Sequence, residues 1–223
     1  RDRYSGPDLK ALPEGILKNF NIDYNEGMLK ESSFSYQSKL GTNISVKGLI
    51  KSDNIFDSNL NIELTSTSSE EILELINNFN FLDKFPKFEF DQLKIDAALN
   101  KGLFKIDTLN VIDGESNAII SGEIDIYNKD NRNLEIKLTK FNQFDIISLP
   151  QLEEILTSLD TNYIDLDCFL TDTNLEIVNL EIPVSGNSNL NITGDVNLKN
   201  LKEAFLNIKF NGIKGADHFY ENY

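Results

Sequence analysis

Tryptophan is absent, and cysteine, histidine and methionine occur once each. With Cys168 alone, no intrachain disulfide can form, and the redox compartment is left open. In "IDLDCFL" this cysteine shares the apolar parity of Ile164, Leu166 and Leu170, so it reads as a buried, inert thiol. The one histidine, His218, falls in the terminal "GADHFYENY", and a Ser–His or Cys–His nucleophile pair would depend on that tail. Glycine-rich phosphate loops and CxxC zinc patterns are both lacking, so the sequence points to no cofactor and no metal.

Positive charge is also scarce. Lys and Arg number 21 against 36 Asp and Glu, a net charge of −15. That balance argues against nucleic acid, whose phosphates need a basic surface, and against electrostatic docking to anionic lipid. It fits a solvated acidic surface. No apolar run approaches the roughly 18 residues of a membrane span, and no signal peptide opens the chain. "RDRYSGPDLK" reads as the start of an excised piece of a longer parent. Proline is rare, at 5, yet 40% of residues are hydrophobic, which argues against global disorder.

What is present is alternation. "IISGEIDI", from Ile119, alternates apolar and polar residues but places Gly122 on the apolar side. Glycine weakens a strand interior and calls for a reason. The same pattern recurs in "NISVKGLI" from Asn43 and "NLNITGDV" from Asn189. Gly48, Gly122 and Gly194 are spaced by 122 − 48 = 74 and 194 − 122 = 72 residues. Next come Leu60, Ile62 and Leu64, then Leu134, Ile136 and Leu138, then Leu206, Ile208 and Phe210, with polar residues between. Upstream, "NEG", "NKG" and "DTN" end at Gly27, Gly102 and Asn174, residue types that tolerate a positive φ. A type I turn with a bulge is expected there.

The fold class that follows is mainly β with two short helices. Three copies of a four-stranded antiparallel meander are expected, over about 16–81, 87–159 and 161–213. Together they would form one repetitive β-domain over 1–215, an extended, curled sheet (a groove or a partly closed barrel or sandwich), with 216–223 as a tail. The helices are expected near 69–80 and 149–159. Ser68 and Glu71 read as a capping box ahead of Ile72, Leu75, Ile76 and Phe79. Ser148 and Gln151 play that part ahead of Leu152, Ile155, Leu156 and Leu159.

Twelve strands would make a sheet roughly 58 Å wide with an apolar face of roughly 1,100 Å². Two helices of about 18 Å by 10 Å cover about a third of it. The rest must curl on itself, pack on another chain or meet an apolar ligand. Gly48, Gly122 and Gly194 would then mark bulges, room for a facing aromatic, or clearance for a lipid chain.

Gly102, Leu103, Gly122, Ile124, Asp125 and Ile126, in their strand–turn–strand setting, resemble the AsmA-like proteins of Gram-negative bacteria. The resemblance spans most of 10–213 and supplies no catalytic residues. It implies a non-enzymatic segment that shields or conducts phospholipid acyl chains along an apolar β-groove in outer-membrane biogenesis. The segment would be periplasmic, tethered to the inner membrane through a longer parent chain, with phospholipid and envelope proteins as partners. Groove-lining positions would be Ile62, Leu64, Ile136, Leu138, Ile208 and Phe210.

Two other readings compete. One is a structural or adhesive β-repeat that packs its own apolar face and binds protein partners. The other is an acidic hydrolase using Asp165 and Asp167, which share a strand face. "DNIFDSN", with Asp53 and Asp57, offers oxygen ligands but lacks the glycine and distal glutamate of a calcium loop. The sequons at Asn43 and Asn191 fall within expected strands and carry no functional reading.

Overall fold

The computed structural model describes residues 12–25, 28–51, 54–78, 89–128, 131–142, 161, 163–184 and 188–212. The chain divides into two compact units, 1–114 and 115–223. The first holds β1 (Gly15–Asn25), β2 (Met28–Ser38), β3 (Asn43–Lys51), β4 (Asn59–Ser66), α1 (Ser69–Asn78), β5 (Gln92–Asn100) and β6 (Leu103–Asp113). The second holds β7 (Ser116–Asp125), β8 (Arg132–Phe141), β9 (Ile164–Thr171), β10 (Asn174–Val184), β11 (Ser188–Asn197) and β12 (Phe205–Asn211). Short 3-10 turns at Ile55–Asp57 and Leu201–Glu203 precede β4 and β12.

The protein is thus mainly β. Within each unit, every strand pairs antiparallel with the next, as period-2 sequences joined by short connections should. Both meanders are open: no pairing among the described residues joins β1 to β6 or β7 to β12, so neither unit closes into a barrel. The expected helix at 149–159 and the tail at 216–223 lie outside the described residues.

Apolar residues of neighbouring strands stand opposite one another. In the first unit Phe34, Val46, Ile62 and Ala97 form one such row across β2 to β5. In the second, Ile120, Ile136 and Cys168 align across β7 to β9, and Leu180 and Ile192 across β10 and β11. A one-residue slip would turn every one of these side chains to water, which is what holds the register.

The three strand glycines share one geometry. Their φ angles are +143° at Gly48, +131° at Gly122 and +138° at Gly194. Each pairs with the first leucine of the next strand: Leu60, Leu134 and Leu206. A Cβ on Gly48, Gly122 or Gly194 would sit 2.0 Å from the carbonyl oxygen of Asn59, Asn133 or Phe205, respectively. Glycine is therefore demanded by close backbone approach in a conformation other residues avoid. The ladder shifts register beside two of them, between Leu29 and Ser32 opposite β3 and between Ile177 and Leu180 opposite β11. These are bulges, the device that bends and twists a strand.

Two local expectations are corrected. The β5–β6 hairpin has a two-residue loop, with Asn100 paired to Leu103. Lys101 and Gly102 both have positive φ, +48° and +87°, so this is a primed turn, which matches the twist of the strands it joins, rather than type I with a bulge. Asn174 is not left-handed either; it begins β10, and its N–H donates to Thr171 Oγ1 at 3.0 Å. The threonine hydroxyl takes over the bend there. Gly27 lies outside the described residues.

Helix α1 starts where the sequence places it. Ser68 Oγ accepts from the Glu71 N–H at 3.3 Å. The return bond of a capping box is missing, because the Ser68 N–H donates instead to Ser66 Oγ at 3.0 Å. Ile72 and Leu75 face inward and pack with Phe90 and Leu93, flanked by Leu12, Ile44, Leu64, Ile95 and Val111. Full burial of such side chains is worth about 1.5–3 kcal/mol each. The second unit has its own cluster of Phe141, Ile164 and Ile182, flanked by Ala118, Leu138, Leu180, Leu190 and Ile192.

Candidate apolar groove

The six candidate lining residues all lie on strands that follow a strand glycine. In the first unit, Ile62 and Leu64 stand opposite Val46 and Ile44 on one side and Ala97 and Ile95 on the other. In the second, Ile136 and Leu138 stand opposite Ile120 and Ala118, then Cys168 and Leu166. Ile208 and Phe210 stand opposite Ile192 and Leu190. The structure therefore places Ile62 and Leu64 together on β4, Ile136 and Leu138 on β8, and Ile208 and Phe210 on β12, with β9 to β11 between the last two pairs.

Their coverage differs. Leu64 packs against the cluster beneath α1, and Leu138 against the Phe141 cluster. Ile62 and Ile136 are half-buried. Ile208 and Phe210, on the outermost strand of their unit, are 60% and 58% exposed. The apolar face is thus covered beneath α1, closely packed at Leu60, Ala97, Leu99 and Cys168, and most exposed on β12. The six candidate residues are all hydrocarbon, so they can hold an acyl chain but offer it no polar handle.

The opposite face is wet and paired. Lys94 meets Asp96 at 2.7 Å, Lys105 meets Asp107 at 2.8 Å, and Lys137 meets Glu135 at 2.6 Å, each two residues along one strand. Hydrogen bonding to Glu135, then its charge and that of Asp167, raises the Lys137 pKa. Such exposed pairs add little stability; they keep this face solvated.

Three residues singled out by the sequence have structural work. Asp165 accepts a hydrogen bond from the Lys140 N–H at 2.8 Å, holding a residue with φ +47° where the β8–β9 register shifts. Its carboxylate is therefore engaged in fixing a bulge. Asn54 caps the turn that contains Asp57, accepting from the Phe56 N–H at 3.1 Å; Asp53 lies outside the described residues. Cys168 is 2% exposed, and burial, with the Asp167 charge second, pushes its thiol up to about 11. A buried, protonated thiol is a poor nucleophile. In the native chain at pH 8 it should ignore a thiol reagent such as DTNB that modifies the urea-unfolded chain promptly; equal rates would show that the face above it opens.

One polar cluster was invisible from sequence. Glu71 is 4% exposed, and its carboxylate accepts from Ser38 Oγ and Thr42 Oγ1, each at 2.5 Å. Thr42 Oγ1 lies 2.8 Å from Ser66 Oγ, and Ser38 Oγ also accepts from the Thr42 N–H at 2.8 Å. Four side chains from the β2–β3 turn, the end of β4 and the start of α1 thus pin the helix to the sheet. Beside them, the Tyr36 hydroxyl donates to the Pro13 carbonyl, and burial, followed by the charges of Glu71, Glu74 and Glu14, raises its pKa. A cleft of about 280 Å³ opens here between Pro13, Glu14, Lys39, Leu40, Glu70 and Glu74. The spacing of Ser68 and Glu71 was the only signal of this cluster in the sequence.

Among the described residues, no helix is long and apolar enough to cross a membrane. No protein-family model, curated protein or solved structure matches the chain.

Proposed function

We propose that this chain is a non-enzymatic, AsmA-like segment that shields phospholipid acyl chains along the apolar face of its sheets. The observation that carries this reading is the uneven coverage of that face. Ile72 and Leu75 of α1 seal one end of the first sheet, while Ile62, Ile136, Ile208 and Phe210 keep solvent contact. An acyl chain gains about 0.8 kcal/mol for each methylene it buries there. In the same proposal the meander repeats three times at the strand glycines. The segment then works in the periplasm, tethered to the inner membrane through a longer parent and meeting envelope proteins.

Photo-crosslinkers decide between this and a sheet that only packs on itself and binds protein. In cells making the parent protein, a crosslinker at Ile136 or Leu138 captures phospholipid, and one at Glu135, on the wet face, does not. Mass spectrometry of natively purified protein finds the same lipid. Capture of protein alone, or equal lipid capture at Glu135, overturns the lipid reading and leaves the self-packed adhesive one.

A further inference from the structure

Helix α1 is held unevenly along its length. Its first turn is well fixed. Ser68 Oγ accepts from the Glu71 N–H, Glu70 and Glu71 set negative charge against the positive end of the helix, and the Glu71 carboxylate accepts from Ser38 and Thr42. The last turn lacks such support. It reads "LINN", with no basic residue to meet the negative end of the helix, and asparagine is a weak helix former. At ten residues α1 is also too short to persist by itself, since isolated helices below about 12–15 residues are marginal in water. It stays wound because Ile72 and Leu75 are seated on Phe90, Leu93, Ile44, Leu64, Ile95 and Val111.

That seat is hydrocarbon throughout, and it continues the candidate groove. Ile44, Leu64 and Ile95 form a row across β3, β4 and β5. The next row on the same face is Val46, Ile62 and Ala97. An acyl chain on the second row has only to advance along the strands to reach the first. There it covers the residues that α1 covers, and with contacts of the same kind. Lifting Leu75 exposes hydrocarbon, but the chain that replaces it shields the strand residues again, so the exchange is nearly balanced.

We infer that α1 is a displaceable plug, which closes the seat over Leu64 in the unloaded chain and frays from its C-terminal end when an acyl chain takes the place of Leu75. The Glu71 pin keeps the first turn on the sheet. The displaced turn therefore stays tethered and rewinds onto its seat when the acyl chain leaves. Local opening of this kind draws on the least supported part of an element, here the last turn. The inference rests on the acyl-chain reading proposed above and adds to it where a chain enters the first unit and what it displaces.

Palmitate carrying a diazirine near its methyl end tests this on the full chain. Labelled peptides are mapped by mass spectrometry, and hydrogen exchange is followed on the same protein with plain palmitate. Label is expected on β4 around Leu64 as well as on β8 around Ile136. With palmitate bound, the amides of Leu75 to Asn78 are expected to exchange several-fold faster, while the Glu71 N–H does not change. Leu75→Ser, which loosens the seat without touching the pin, is expected to raise labelling of β4 several-fold and leave that of β8 as it was. Label on β8 but not on β4 overturns the plug and leaves the acyl-chain reading standing, as do α1 amides that are slowed or unaffected by palmitate. Label on neither strand overturns both. Should Leu75→Ser unfold the first unit, seen as lost exchange protection in β2 to β5, the labelling and exchange of the unmutated chain decide.

Discussion

Gly122→Leu is expected to shift the urea unfolding midpoint far below that of Lys137→Leu. The two positions lie on neighbouring strands but face different neighbours. Lys137 is a wet-face residue whose ammonium pairs with Glu135, and an exposed pair of this kind is worth little. Gly122 has φ +131°, and even its first added carbon would meet the Asn133 carbonyl oxygen at 2.0 Å. Neither backbone can yield without breaking the β7–β8 ladder. Strain of about 1–3 kcal/mol from the dihedral adds to about 1–3 kcal/mol from overpacking. Alanine at Gly122 should therefore do much of the damage that leucine does. Gly194→Ala should cost less than Gly48→Ala. The carbonyl that Gly194 meets belongs to β12, which among the described residues pairs only with β11, whereas β4 is held between β3 and β5. Equal midpoints for Gly122→Leu and Lys137→Leu would mean that the close approach of β7 and β8 is wrong.

Glu71→Ala is the second large effect. Removing the carboxylate leaves the Ser38 and Thr42 hydroxyls without their acceptor in a site where Thr42 is 0% exposed. Hydrogen bonds to a charged group contribute about 1.5–3 kcal/mol each, and an orphaned buried donor costs a similar amount. A loss of about 3 kcal/mol is expected in chemical denaturation. Glu71→Gln keeps one acceptor oxygen and should lose clearly less. Because Ser38, Thr42 and Ser66 all belong to the first unit, the damage should be confined to it. Hydrogen exchange should speed up in β2 to β4 and α1, while β9 to β11 keep their protection. Uniform loss across both units would show that the network supports more than its own sheet.

Much of this fold can be read from the sequence because its determinants are local. Alternation places Ile62 and Ile136 on the apolar face, and Ser68 with the Ile72 and Leu75 spacing starts α1. Gly48, Gly122 and Gly194 stand out as misfits in otherwise regular strands, although the carbonyls they admit belong to the next strand and could not be named. What was illegible is long-range. Glu71 looks like half of a capping box until Ser66 takes the amide it was meant to satisfy. Asp165 looks like one of a catalytic pair until the Lys140 bulge appears beside it. The candidate groove residues were placed on a face by parity, but parity says nothing of depth. It cannot distinguish Leu64, under a helix, from Ile208, beside solvent.

Among the described residues of each unit, a strand bonds only to the strands before and after it in the chain. Such a sheet is built like knitting, row upon row, with no row threaded through an earlier one. Closing each hairpin requires only a short search, so the rate at which one row is laid down depends little on how many follow. Stability accumulates as a sum over rows and the seams between them. A chain of this kind can gain or lose a hairpin at its margin while the remaining rows keep their partners. Its reach can therefore be set by length alone, without redesigning the stitch.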